Sequence, residues 1–286
     1  LGANTTANNN IAIGAYAADA NTTGSENVAL GKEALTDNTT GGNNIAIGYD
    51  ALANNTTASN NTAVGWQALQ DNTTGHSNVA IGKDAALNQT TANYTTAIGD
   101  RSIGSGVVTG EHNTALGHYS LYAVTSGSHN TGLGSNALAA NTTGVYNVAL
   151  GYASLDSNTS GGQNIAIGTF AQTNSTTANN NVAIGHNSLA DCTTGSENVA
   201  IGREALKETT TSTNNVGIGY QAGYNNTTGT HNIAVGSYAL YTNDDGDYNI
   251  GIGGQSLYYN TSGDKNIGIG YDALQDNTTG NYNTAV

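Results

Sequence analysis

Large aliphatic residues recur in pairs two positions apart, and most pairs reappear seventeen residues on, as in Ile11 and Ile13, Val28 and Leu30, Ile45 and Ile47, through to Ile267 and Ile269. Alanine or glycine stands between the two, asparagine precedes all but one pair site, and glycine follows. The glycines run from Gly14 to Gly270 in steps of 17, except for a step of 18 from Gly99 to Gly117. Alternation with a period of two, bounded by Asn and Gly, is the signature of a short strand. A helical-pair repeat needs about 33 residues or more, and no 3.6-residue rhythm is present. The pattern therefore predicts an all-β chain: a parallel β-solenoid, or β-roll, of about seventeen 17-residue coils running continuously over residues 1–286.

Residues two apart on a strand share a face, so the aliphatic pairs are expected to line the interior. Leu35, Leu52, Leu69, Leu138, Leu155, Leu189, Leu206, Leu240, Leu257 and Leu274 follow their glycines by four residues, and each is expected to add a third core residue from a second short strand. Stacked about 4.8 Å apart, the strand-opening asparagines can hydrogen-bond from coil to coil. The Asn-Thr-Thr-Gly segments read as turns, with Gly available for positive φ. The residue between the paired aliphatics, Ala29, Ala46, Ala166 or Gly217 for example, is then expected outside. A row held to Ala and Gly implies close packing. A homotrimer fits most simply, and a homodimer or tight internal packing also fits.

Composition changes the picture in three respects. Abundant Asn, Thr and Gly with few charges suggest low complexity, a reading the periodicity overrides. Six Lys and Arg against twenty Asp and Glu give a net charge of −14, which disfavours nucleic acid and anionic membrane surfaces. No apolar run is long enough to insert in a membrane. The chain starts and stops part-way through a coil, as a stretch of something longer would.

The Asn-Val-Ala-Leu-Gly-x-x-Ala of Asn27 to Ala34 and the Asn-Val-Ala-Ile-Gly-x-x-Ser of Asn181 to Ser188 resemble the head repeats of YadA-like trimeric autotransporter adhesins and related tail-fibre repeats of phages and bacteria. The resemblance covers the whole chain. It implies a left-handed β-roll, side-by-side trimerisation and a surface-exposed fibre used for attachment. This chain differs in its longer coil and its Asn-Thr-Thr-Gly extension.

Candidate chemistry is sparse, and no nucleophile, base and acid come together, so no enzyme activity and no cofactor are expected. Asp244, Asp245 and Asp247, with Asp264 one coil later, group carboxylates around a Gly turn and are candidate calcium ligands; a solvated acidic turn is the plainer reading. Asn21, Asn38, Asn72, Asn141, Asn158 and Asn277 begin Asn-x-Ser/Thr triplets and are candidate glycosylation sites, although a repeated turn generates such triplets by itself. Cys192 stands where most coils carry Asn and reads as a tolerated substitution. The histidines read as surface residues, and the tyrosines, concentrated after Tyr220, as packing between coils or as contacts for a sugar or protein. The extra residue between Asp100 and His112 predicts a bulge or kink.

The function expected is the structural or adhesive shaft of an extracellular fibre on a cell or virion surface. Its partners would be copies of itself and a host-surface protein or glycan, attachment coming from many weak contacts. The alternative is a self-assembling filament or sheath subunit.

Overall fold

A computed structural model describes all residues from Leu1 to Val286. The chain is an all-β parallel solenoid of about sixteen coils, without a helix. It divides into two compact units, Leu1–Val145 and Tyr146–Val286. The first carries strands β1 (Ile11–Ile13), β2 (Val28–Leu30) and onward to β8 (Thr131–Leu133), and the second runs from β9 (Val148–Leu150) to β17 (Thr284–Ala285). Within each unit successive strands pair in parallel, Val28 beside Ile45 in the first and Val182 beside Val199 in the second. The extra residue is absorbed where Thr96 of β6 (Thr96–Ile98) pairs with Thr114 of β7 (Thr114–Leu116). The intervening segment keeps one isolated parallel bridge, Gln89 to Val108.

The faces of the strand are opposite to those expected from residue size. From β2 onward to the sixteenth strand, the central Ala or Gly is buried and the flanking aliphatics are half-buried or exposed. Ala29, Ala46 and Ala166 are completely buried, whereas Leu30, Ile45 and Ile165 keep 41, 39 and 39% of their surface. The small residue meets the interior leucine directly: a Cβ on Gly217 would lie 2.7 Å from Cγ of Leu206. Of the three packings compatible with an Ala/Gly row, tight internal packing is the one present.

A second strand is also absent. Leu52 enters the interior from a turn, at φ +52°. Two turns follow the strand, closed by Ala51 N–H to the Gly48 carbonyl and Asn55 N–H to the Leu52 carbonyl, at 3.5 and 3.3 Å. Left-handed Asp50 and Leu52 break the extended alternation, so neighbouring Ala51 and Leu52 both point inward. Each non-glycine residue held there costs about 1–2 kcal/mol. Inter-coil backbone bonds impose the conformation, among them Asp50 N–H to the Lys32 carbonyl at 3.2 Å and Leu52 N–H to the Ala68 carbonyl at 2.9 Å.

The strand-ending glycine is required twice over. Gly48 has φ +138°, and a Cβ there would sit 2.2 Å from the Gly65 carbonyl oxygen of the next coil. The glycine of Asn-Thr-Thr-Gly is different, because Gly41 does not have the positive φ expected of it, and Ala58 takes its place one coil later.

The inverted faces give a direct test. Ala166→Leu should overpack the interior and cost about 1–3 kcal/mol, while Ile165→Thr should change the stability of the isolated chain by less than about 0.5 kcal/mol. Amide hydrogen exchange around β10 (Ile165–Ile167) reads both; equal protection in the two variants would contradict the assignment.

Candidate functional site: an apolar ribbon on a hydrogen-bonded coil

Parallel register turns the outward aliphatics into rows, two continuous ones in the second unit and one in the first. In the second unit one row is Val148, Ile165, Val182, Val199, Val216, Ile233, Ile250 and Ile267; the other begins Leu150, Ile167, Ile184, Ile201 and Ile218. In the first unit Thr62, Thr96, Thr114 and Thr131 interrupt the former row, but Leu30, Ile47, Val64, Ile81, Ile98, Leu116 and Leu133 run unbroken. Neither row contains a charged side chain. At about 4.8 Å between coils and about 10 Å across a three-residue strand, the ribbon covers on the order of 400 Å² in each unit. That already equals the largest apolar patch on a typical monomer, about 300–600 Å².

Next to the strand the coil has a polar interior with its hydrogen bonds made internally. The Asn27 Oδ1 accepts the Asn44 backbone N–H at 2.9 Å, and the Asn44 Nδ2 donates to the Ala58 carbonyl at 2.9 Å. A second asparagine column lies beside the first, the Nδ2 atoms of Asn27 and Asn38 sharing the Gly41 carbonyl. There Asn38 Nδ2 donates to Asn21 Oδ1 at 2.7 Å and to the Gly41 carbonyl at 2.9 Å. Next to it Thr22 Oγ1 donates to the Thr39 carbonyl at 2.9 Å, and Thr39 Oγ1 to the Thr56 carbonyl at 3.0 Å.

The second column contains the candidate glycosylation sites. Asn21, Asn38, Asn72, Asn141 and Asn158 are fully buried, and Asn277 is half-buried. Their Nδ2 atoms donate to the carbonyls of Gly24, Gly41, Gly75, Gly144, Gly161 and Gly280. A glycan on any of these nitrogens would have to displace that bond and, at the buried five, open the coil. Cys192 occupies the same column, fully buried, with its Sγ 3.2 Å from the Gly195 carbonyl in place of the amide. Burial pushes its thiol up to about 12, against a weaker opposing pull from the Gly195 backbone.

The four candidate calcium ligands do not converge. Asp247 and Asp264 stack in one column, where Asp247 Oδ1 accepts the Thr230 N–H at 2.6 Å and Asp264 Oδ1 the Asp247 N–H at 2.8 Å. Ser59 Oγ and Asn179 Oδ1 take the equivalent N–H groups in other coils. Asp244 accepts from Thr227 Oγ1, and Asp245 is exposed. No three His, Cys, Asp or Glu side chains converge on a metal-sized site anywhere. The other carboxylate-lined feature is a shallow groove with Glu33, Asp37 and Asp50 on its wall. Burial there, with the Glu33 carboxyl next in importance, raises the Asp50 carboxyl above its usual range.

Five of the six cations are covered in a way the sequence displays but size and charge counting overlook. Lys32 lies over Tyr49, Arg101 over Tyr119, Arg203 over Tyr220, Lys207 over Tyr224 and Lys265 over Tyr282, each 5.0–5.8 Å from the ring centre. A basic residue one coil before a tyrosine is the signal. Lys83 instead pairs with Asp84 at 3.7 Å. Such contacts contribute about 0.5–1 kcal/mol at exposed sites and leave no uncommitted basic patch.

Two outcomes follow. Asp247→Asn should leave the thermal transition unchanged, because an amide oxygen accepts the same N–H, and added calcium should not shift either protein; a calcium-dependent rise lost in the variant would restore the metal site. Cys192 should resist a thiol reagent at pH 8 in the folded chain and react in denaturant. Because its folded value of about 12 exceeds the ordinary 9.0, its contribution to stability is complete below pH 9 and is lost as pH rises toward 12; thermal melts of wild type and Cys192→Ser over that range measure the difference.

Compared with known proteins, the chain matches no family model, no curated protein and no solved structure.

Proposed function

We propose that this chain is a structural segment of an extracellular fibre, in which identical chains associate side by side, as a trimer, through their aliphatic ribbons. The observation that carries the proposal is the ribbon itself: two uncharged rows, repeated at one spacing along each unit. A second copy presents rows of the same spacing, so one in-register contact brings every other contact into register. Burying a whole aliphatic side chain contributes about 1.5–3 kcal/mol, and the more exposed of these retain about two-fifths of their surface. Across the eight complete strands of the second unit, Val148–Leu150 to Ile267–Ile269, the ribbon thus offers at most roughly 10–20 kcal/mol. Association costs about 4–15 kcal/mol, a cost that a ribbon of this size can offset.

The remaining surface suits a shaft. Coil-to-coil asparagine and threonine bonds stiffen it, five of the six cations lie over tyrosine rings, and the net charge of −14 opposes indiscriminate aggregation. Repeated outward columns would support attachment by many weak contacts. No residue grouping favours catalysis, so the structural reading stands ahead of an enzymatic one.

Native mass by light scattering should be a multiple of the 28.8 kDa chain, with three chains expected. The triple variant Ile165→Lys, Ile201→Lys and Ile233→Lys should reduce it to one chain while keeping a β-type circular dichroism spectrum. A wild-type monomer at micromolar concentration would overturn the proposal.

A further inference from the structure

Six tyrosines of the second unit form one ring-to-ring network. Tyr224, Tyr241 and Tyr258 hold the same place in three successive coils, with centroids 5.3 and 5.1 Å apart and ring planes 23° and 14° from parallel. Tyr238 lies 5.6 Å from Tyr241 and 6.2 Å from Tyr258, Tyr220 lies 5.1 Å from Tyr238, and Tyr259 lies 4.6 Å from Tyr258. Tyr220 and Tyr259 are exposed at the two sides of the network, so an oxidant in solution can reach it.

A separate observation concerns what the unit lacks. The chain has no methionine, its one tryptophan is Trp66 in the first unit, and its one cysteine is Cys192, fully buried. Thiolates, methionines and indoles are the usual first casualties of oxidation. Within Tyr146–Val286 the readily oxidised group left within reach of solvent is the tyrosine phenol, and six of these phenols are in contact.

We propose that this network is a site of oxidative cross-linking, at which peroxide activated by a haem peroxidase couples tyrosines of successive coils into dityrosine. Each of two phenols gives up one electron and one proton to the oxidant, and the peroxide is reduced to two waters. The two phenoxyl radicals join through a new bond between ring carbons ortho to oxygen. Each ring then moves its displaced ortho hydrogen from carbon to oxygen and regains its phenol, so each link costs the protein two hydrogen atoms. The pairs stacked in one column, Tyr224 with Tyr241 and Tyr241 with Tyr258, are the expected partners. Ring contact also lets a radical formed at exposed Tyr220 or Tyr259 pass inward before coupling. Such a link joins adjacent coils covalently and does not depend on the chain being a fibre.

The test treats the full chain, at low concentration, with hydrogen peroxide and horseradish-type haem peroxidase. Dityrosine fluorescence is expected, with a single-chain band on a denaturing gel and an intact mass lower by two hydrogens per link. The double variant Tyr241→Phe, Tyr258→Phe retains both rings but not their phenols, and should lose most of the emission. Tyr271→Phe, a highly exposed residue outside the network, should retain it. Emission found only in chain-to-chain products, or undiminished in the double variant, would overturn the proposal.

Discussion

The narrowness of the coil's interior governs the rest of this structure. Seventeen residues closed into one turn leave space for a leucine, two small residues and two amides, as Leu52, Ala46, Ala51, Asn44 and Asn55 show. A larger side chain at the middle of the strand would strike the leucine, as the 2.7 Å approach at Gly217 indicates. Since neighbouring strand residues face opposite ways, keeping Ala inside places Ile, Val and Leu outside. The hydrophobic effect that would normally bury those residues is overruled by volume, and an apolar ribbon results.

Such an interior contains too little apolar surface to hold a coil by itself, and hydrogen bonds carry much of its definition. Asparagine suits the task because one side chain offers both a donor and an acceptor. In the turn column Asn38 donates to the Gly41 carbonyl of its own turn and to the Asn21 side chain of the neighbouring coil; in the strand-opening column Asn27 reaches backbone groups 14 and 17 residues on, at Gly41 and Asn44. Replacements show what is at stake. Gln89 keeps a bond from Nε2 to the Ala92 carbonyl at 3.0 Å but leaves its Oε1 buried without a partner. Thr95 and Thr209 likewise leave their hydroxyl oxygens unpaired, each at about 1–3 kcal/mol. Gln89, one end of the isolated bridge, and Thr95 fall in the coil just before the 18-residue step, so defects in the ladder and in the register share one region.

Outside the coil, the same register converts single residues into columns. A tyrosine repeated at one position becomes a stack, a lysine one coil earlier becomes a cation over a ring, and a carboxylate becomes one more acceptor for a backbone N–H. This explains why Asp247 and Asp264, which look like a metal cluster in the linear chain, serve as rungs in space. Repetition therefore decides the chemistry of the surface as well as the fold.

The parallel solenoid, its period, the 18-residue irregularity and the coil-to-coil use of asparagine are all legible in the linear chain, because all four follow from spacing. The linear chain also carried, in a column held to Ala and Gly, the information that something packs closely there. The closed coil is what makes Leu206 and its equivalents in the same interior the close neighbour, so that the aliphatics are outside. It also decided that Leu52 arrives from a left-handed turn and that the Asn-Thr-Thr-Gly asparagines are sealed inside. Two-residue alternation states which side chains share a face, but it does not state which face is the inner one. That choice rests on the volume enclosed by the closed turn, and volume exists only once the chain has gone round.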